Sequence, residues 1–181
     1  MLDATNLPIA LENTRLRLLS ELDADAYAAG TKDEAVRRFA HLPEPDYTPE
    51  SVRRMICDEV ATGLSSGTLA VLALADAETD RFVGSMVLFD VSSEAAEVGF
   101  WIHPGARGDG HARRGLELAS RFARTSGLRT LTARTLPENK ASQHCLTTAG
   151  FRETGRGVGT TPAGQRGELF HYQRDLVTAA Q

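Results

Sequence analysis

A glycine-rich turn between a strand and a helix constrains this sequence most. In the stretch EVGFWIHPGARGDGHARRGLELASRFA (residues 97–123) an alternating pattern gives way to glycines, and then to apolar residues at steps of three and four. Glycines let the backbone turn tightly and approach a ligand, and the first N–H groups of the helix have no partner within it. Because a helix N-terminus carries partial positive charge, the pattern predicts a site for an anion such as phosphate. Arg113 and Arg114 oppose the helix dipole, which fits a bound polyanion.

The composition is that of an ordinary globular protein. The 181 residues fit one domain, which we expect to cover residues 1–181 with a core from about 14 to 176. A net charge of −4 gives no reason to expect nucleic acid or an anionic membrane as partner. No apolar run reaches the roughly 18–20 residues that span a bilayer, and the start shows no secretion signal. We therefore expect a cytoplasmic protein.

Patterning along the chain predicts strands and helices in a mixed order. The expected strands are Thr14–Leu19, Thr68–Asp76, Arg81–Val91, Glu94–His103, Arg129–Leu136, and a final pair formed by FRETG and ELFHYQRDL. The expected helices are one that ends at Gly30, one capped by Thr48 that buries Val52, Met55, Ile56 and Val60, one from Gly110 to about Ser126, and one opened by Pro137 and closed by Gly150. The proline-rich segment HLPEPDYTPE between the first two helices is expected to be a loop. The sum is a mixed sheet with helices packed on it, an α/β or α+β fold.

Two separated motifs resemble the signatures of one family. The run I-H-P-G-A-R-G-D-G-H-A resembles the acyl-coenzyme A signature of the GNAT N-acetyltransferases, Q/R-x-x-G-x-G/A after a strand that ends V-x-P. The matching positions are Ile102, Pro104, Arg107, Gly110 and Ala112. Further on, PENKASQHCLTTAGF resembles the next signature, N-x-x-S/A followed by G-F, through Asn139, Ser142, Gly150 and Phe151. The segments TRLRLL and LPEPDYTPESVRRMI are similar to the RimJ/RimL-type branch, whose members acetylate protein N-termini or small amines.

The resemblance implies a fold and a reaction. The fold would be a GNAT-like mixed, mostly antiparallel central sheet with helices on both faces, and with two strands splayed at the acyl-CoA site. The reaction would transfer an acetyl group from acetyl-CoA to a primary amine, with acetyl-CoA as co-substrate and no metal. A homodimer is expected from the resemblance alone. The histidines show no metal-ligand spacing, which agrees with a metal-free site.

The resemblance also assigns cofactor-binding residues. Backbone N–H groups of the turn would hold the pyrophosphate, and the strand edge before it would pair with the pantetheine amides. Asn139 would hydrogen-bond the cofactor arm, and Arg107, Arg113 and Arg114 are candidate phosphate partners. The cofactor-binding set is Phe100, Trp101, Ile102, Arg107, Gly108, Asp109, Gly110, His111, Ala112, Arg113 and Asn139.

The catalytic candidates are Ser142 and Glu97. Many relatives protonate the leaving thiolate with a tyrosine, but this sequence has Leu146 at that position, so the role passes to Ser142 by resemblance to the RimJ/RimL-like branch. Glu97 is the candidate base that takes a proton from the amine, with a water wire as its alternative. Either residue could instead be structural, Glu97 as a solvent-facing strand residue and Ser142 as part of a helix cap. His41 is a candidate for the acceptor pocket, and Cys145 is expected to be a small buried residue.

Two other functions stay open. The missing tyrosine at Leu146 is compatible with a non-catalytic module that binds acyl-CoA, and the same site could transfer another acyl group such as succinyl.

Overall fold

The computed structural model describes residues 1–40, 42–160 and 166–176, and these form a single mixed sheet flanked by helices. The strands are β1 (Ile9–Leu11), β2 (Thr14–Leu18), β3 (Ala70–Asp76), β4 (Phe82–Phe89), β5 (Ala95–Ile102), β6 (Thr130–Thr135), β7 (Arg152–Thr160) and β8 (Arg166–Asp175). The helices are α1 (Ala24–Gly30), α2 (Glu34–Phe39), α3 (Pro49–Met55), α4 (Ala61–Ser66), α5 (His111–Thr125) and α6 (Lys140–Thr148), and a π-helical segment (Ile56–Val60) joins α3 to α4.

The sheet is mostly antiparallel, as the family resemblance implies. Its strand order is β1-β2-β3-β4-β5-β6-β8-β7, and β5 with β6 is the one parallel pair among these strands. A parallel pair needs a crossover connection, and the fifteen-residue helix α5 supplies it. This crossover carries the glycine-rich turn to the end of β5.

Both faces of the sheet are covered. On one face α5 buries Leu116, Ala119 and Phe122 against the strands in the larger hydrophobic cluster. A Cβ at Gly115 would lie 2.8 Å from a Leu74 methyl, so this glycine lets the helix approach the sheet closely. On the other face α1 and α3 cover a second cluster in which Trp101 packs against aromatic rings. The expected arrangement, a mixed sheet with helices on both faces, is confirmed.

The sheet opens between β5 and β6. Their parallel register runs only from Ala95↔Thr130 to Glu97↔Thr132, although β5 continues to Ile102 and β6 to Thr135. The two strands are therefore splayed over their last residues.

The helix after β6 begins later than the sequence predicts. Pro137 precedes a turn, and α6 starts at Lys140 because the Asn139 side chain accepts a hydrogen bond from the Ser142 N–H at 3.1 Å and so acts as the N-cap. Gly150, with φ +81°, follows the helix end as expected. The helix capped by Thr48 starts as predicted, and it continues through the π-helical segment to Ser66. Val52 and Val60 are buried in it, whereas Met55 and Ile56 are half-buried.

Candidate active site

A cavity of about 810 Å³ lies where β5 and β6 separate. Its walls come from β5, β6, the glycine-rich turn with the start of α5, the start of α6, and α2. Twelve of the thirteen sequence-predicted site residues line it: Glu97, Phe100, Trp101, Ile102, Arg107, Gly108, Gly110, His111, Ala112, Arg113, Asn139 and Ser142. Asp109 does not. The structure thus brings residues that are up to 45 positions apart into one cavity.

The turn presents a row of backbone donors. The N–H groups of residues 108–113 donate to no acceptor within the described part of the chain, and the first internal bond of the helix start is Arg114 N–H to the Gly110 carbonyl at 3.2 Å. The Arg107 N–H differs, since it lies 3.5 Å from the Pro104 carbonyl. Consecutive free N–H groups at a helix N-terminus form a site for an anion.

Gly110 shapes this turn for two reasons. It caps α5 with φ +78°, a conformation that residues with a side chain rarely adopt. An added Cβ would also meet the Arg114 guanidinium, which wraps over the turn and donates to the Asp109 carbonyl at 2.7 Å. Arg114 further pairs with Glu12 at 2.6 Å, so its charge is already engaged in bracing the turn. Asp109 therefore helps to fix the turn through its backbone carbonyl.

Two other arginines of the turn face the cavity. Arg113 is exposed, lines the cavity and makes no ion pair with any residue that the structure describes. Arg107 also lines the cavity, but its guanidinium donates to Asp33 Oδ1 at 2.6 Å. That contact lowers the pKa of the Asp33 carboxyl below its usual range, mainly through the hydrogen bond from Arg107. The cavity wall therefore contains two arginines beside the glycine-rich turn, and one of them is paired with a carboxylate.

The exposed edge of β5 offers further backbone groups. The His103 N–H donates to the Val83 carbonyl of β4 at 2.9 Å, and hydrogen bonding alternates along an antiparallel pair. The backbones of the odd-numbered residues of β5 therefore face β4, and those of Val98, Phe100 and Ile102 point into the gap beside β6. This differs from the expectation for Trp101, whose backbone faces β4 and whose indole packs in the second cluster. Trp101 remains part of the cavity wall.

His111 fastens the helix start to β2. Its imidazole is buried, and Nδ1 lies 2.8 Å from Thr14 Oγ1. Burial lowers the pKa of His111, because it disfavours the charged ring more than Asp109 and Asp76 favour it. A neutral imidazole therefore holds the glycine-rich turn in place.

The start of α6 carries Asn139 and Ser142. Asn139 uses its side-chain oxygen as the helix cap, and its Nδ2 donates to nothing else in the described ranges. The Ser142 hydroxyl likewise makes no hydrogen bond there, although the residue is half-buried in the cavity wall. Leu146, at the tyrosine position of many relatives, is fully buried. Cys145 also lines the cavity, and burial raises the pKa of its thiol, which keeps it protonated.

Glu97 lies at the point where β5 and β6 part. Its carboxylate accepts a hydrogen bond from Arg134 Nε of β6 at 2.8 Å, and the side chain is 14% exposed. It is therefore not the solvent-facing strand residue that was its structural alternative. Arg134 was missed in the sequence, because an arginine in the strand RTLTARTL carries no signal that it crosses to a neighbouring strand.

The short helix α2 was also missed. Asp33 caps it by accepting the Val36 N–H at 3.0 Å, and Ala35, Val36 and Phe39 line the cavity. An Asp followed by a run of helix-forming residues, D-E-A-V-R-R, is a start signal that could have revealed it. Arg38 then pairs with Glu138 at 3.2 Å, so α2 is tied both to the turn and to the segment before α6.

Three remaining points concern a metal site, a membrane-spanning helix and His41. No group of three or more His, Cys, Asp or Glu is placed to hold a metal among the described residues. None of the described helices is long and apolar enough to cross a membrane. His41, the candidate for the acceptor pocket, lies outside the described residues.

The fold and this site together define an acyltransferase that uses a coenzyme A thioester. The sequence matches the acetyltransferase (GNAT) domain family over residues 13–152, and the chain belongs to that family. No curated protein matches the chain at a significant level.

Several solved structures share the fold. The ribosomal-protein-S5-alanine acetyltransferase from Vibrio fischeri superposes with a TM-score of 0.80 at 16% identity, over 94% of this chain and 97% of that one. RimJ of Mycobacterium smegmatis, in complex with CoA-disulfide, gives 0.78 at 20% identity, over 90% and 81%. The microcin C7 self-immunity acetyltransferase MccE, in complex with acetyl-CoA and AMP, gives 0.79 at 13% identity, over 91% and 93%. At these identities the likeness concerns the fold.

Proposed function

We propose that the protein transfers the acetyl group of acetyl-CoA to a primary amine, either a protein N-terminus or a small molecule. The observation that carries the proposal is the row of free N–H groups at residues 108–113, which opens onto the gap in the sheet. Such a row suits a diphosphate, and the gap beside β5 suits an extended arm with amide groups.

The residues fit the parts of coenzyme A in turn. The N–H groups of Gly108 to Arg113 would hold the diphosphate, and the Arg113 side chain would add a charge-assisted contact. The backbone groups of Val98, Phe100 and Ile102 would pair with the pantetheine amides like an added strand. The free Nδ2 of Asn139 would donate to the same arm from the opposite side.

Acetyl transfer requires a proton to leave the amine and a proton to reach the departing sulfur. Acetyl-CoA supplies an activated acyl carbon, and the amine nitrogen forms the new bond as the carbon–sulfur bond breaks. An edge N–H of β5 would stabilise the developing oxyanion. Ser142 would donate its hydroxyl proton to the sulfur, directly or through water, and Glu97 or a water wire would accept the amine proton. Because Arg134 holds the Glu97 carboxylate at 2.8 Å, Glu97 has a fixed direction from which to act.

The acceptor has two candidate classes. The Vibrio fischeri neighbour is a ribosomal-protein-S5-alanine acetyltransferase and another neighbour is a putative phosphinothricin N-acetyltransferase, so both a protein and a small molecule have precedents as acceptors on this fold. A panel of peptides and small amines, followed by thiol release from acetyl-CoA, would separate the two.

A matched pair of variants tests the cofactor site. Arg113→Gln removes an exposed, unpaired arginine at the start of α5, and Arg124→Gln removes an exposed one at its end. Hydrogen bonds to charged groups contribute roughly 1.5–3 kcal/mol. Since Arg113 is exposed, we expect the lower end, a loss of about tenfold in acetyl-CoA affinity by isothermal titration. Arg124→Gln should bind as the unaltered protein does, and equal effects of both would speak against the site.

Different experimental results would favour the alternative functions. Cofactor binding without thiol release on any acceptor, and without effect of Ser142→Ala, would favour a non-catalytic acyl-CoA-binding module. A mass spectrum of ligand that copurifies would distinguish acetyl from another acyl group such as succinyl. We also propose a homodimer, on the resemblance alone, and a cytoplasmic location. Light scattering would test the homodimer.

A further inference from the structure

A second cavity, of about 210 Å³, lies on the α1 and α3 side of the sheet. Its floor is formed by side chains of β3, β4 and β5, and its roof by α1, α3, the π-helical segment and the loop after α2. The walls are mainly apolar, with Val71 and Val87 in the floor and Met55 and Val60 in the roof.

The hydroxyl groups in these walls are already engaged, and Glu59, the one charged residue among the described residues that line the cavity, is exposed. Tyr27 interacts with Trp101 and Ser85, the Ser85 hydroxyl donates to the Leu72 carbonyl at 3.2 Å, and the Tyr47 oxygen accepts the Glu44 N–H at 3.4 Å. Burial raises the pKa of both tyrosines, so their hydroxyls stay neutral. No buried side-chain nitrogen or oxygen lacks a partner in the part of the chain that the structure describes. The cavity therefore suits an apolar occupant.

The two cavities meet at Gly99. They share Ala40, Phe89, Gly99, Phe100 and Trp101 as wall residues. The missing side chain of Gly99 keeps the junction open, since a Cβ there would project to 3.0 Å from Val87 Cγ1. Gly99 lies between Val98 and Phe100, whose backbone groups point into the cofactor gap. A group in the second cavity would thus lie beside the strand residues whose backbone groups would bind the cofactor arm.

We propose that the acceptor amine carries an apolar side group of about benzyl size next to its nitrogen, and that the second cavity binds this group. The inference rests on the proposed function and specifies its acceptor. Size supports it, because an apolar cavity of about 150 Å³ is enough to bind benzene. An N-terminal phenylalanine of a polypeptide and a free arylalkyl amine present the same chemistry.

The experiment compares acceptors that differ in the side group alone. One series is a peptide whose first residue is Phe, Leu, Ala or Gly, and the other is phenylalaninamide against glycinamide. Burying a phenylalanine side chain contributes about 1.5–3 kcal/mol, so kcat/KM for thiol release should be at least about tenfold higher for Phe than for Gly. A preference in the peptides alone identifies a polypeptide acceptor, one in the amides alone identifies a small amine, and either supports the inference.

Val71→Phe provides the test at the cavity. The added ring should fill the floor and abolish the preference for Phe over Gly, while acetyl-CoA affinity stays unchanged because Val71 does not line the cofactor cavity. Val71→Ala, which enlarges the cavity, should instead extend the acceptor preference to a peptide that begins with naphthylalanine. This variant provides the test if Val71→Phe does not fold. Val158→Phe on the exposed face of β7 is the matched control.

The outcomes distinguish this inference from the proposed acetyltransferase function on which it rests. Turnover with equal rates for Phe and Gly, or a preference that survives Val71→Phe, would overturn the inference and leave the acetyltransferase activity standing. Binding of acetyl-CoA without thiol release on any acceptor would overturn the proposed function, and the inference with it.

Discussion

Replacing Asp33 by Asn should strengthen the binding of acetyl-CoA. Asp33 holds the Arg107 guanidinium at 2.6 Å and at the same time caps α2 through the Val36 N–H at 3.0 Å. In the cofactor complex its carboxylate would compete with the phosphates for Arg107 and repel them. Asn removes the charge and keeps a side-chain oxygen for the cap, since Asn and Asp are equally good N-caps. The substitution therefore isolates the electrostatic effect.

The exposure of the pair sets the size of the effect. The side chains of Arg107 and Asp33 are 43% and 22% exposed, so water screens their attraction. Exposed pairs contribute about 0.2–1 kcal/mol, which corresponds to a gain of about 1.4- to 5-fold in affinity. The gain should be larger in about 10 mM salt than in about 150 mM, because the Debye length falls from about 30 Å to about 8 Å. Asp33→Ala should show the same gain with a helix cap lost, at a cost of about 1 kcal/mol in stability.

Isothermal titration with acetyl-CoA at the two salt concentrations gives the affinities, and thermal unfolding gives the stabilities. Weaker binding by Asp33→Asn, or an unchanged affinity at low salt, would mean that Arg107 does not face the phosphates. A loss of stability in Asp33→Asn as large as in Asp33→Ala would show that the amide does not preserve the cap.

Three further predictions concern the rest of the site. Ser142→Ala should lower kcat by about 100-fold or more and leave acetyl-CoA affinity unchanged, because the hydroxyl is not used in the helix cap; full activity would leave catalysis to positioning alone. Asn139→Ala should lower the melting temperature by about 2–4 °C through loss of the cap, whereas Asn139→Asp should preserve it, and calorimetry should find weaker cofactor binding in both. The free energy of unfolding should decrease as the pH falls below about 6.5, because burial lowers the pKa of His111 and the unfolded chain takes up the proton first. Urea unfolding of Thr14→Val and His111→Gln between pH 5 and 8 tests this. If His111→Gln leaves the pH dependence of stability unchanged, other groups cause it.

The sequence predicts those parts of the site that depend on local backbone geometry. The turn at Gly110 and the helix after it follow from glycine freedom and apolar spacing over one short stretch, and the N-cap at Thr48 follows from the hydroxyl and the proline beside it. Contacts between distant segments could not be predicted. Nothing in the sequence indicates that Asp33 meets Arg107, because that pairing depends on how α2 packs across the opened sheet.

The period of a strand explains how β5 can serve two substrates. The backbone groups of Val98, Phe100 and Ile102 point toward the gap where coenzyme A would lie, whereas Gly99 and the Trp101 side chain contribute to the wall of the second cavity. The cofactor arm would therefore be recognised through main-chain hydrogen bonds, which are kept when side chains are substituted. The acceptor would be recognised through side chains, so substitution would change its binding. It follows that substitutions in the floor of the second cavity can alter acceptor choice while the cofactor site stays intact. Deleting one residue of β5 would exchange the two sets and abolish both functions together, because a slip by one residue moves every side chain to the opposite face.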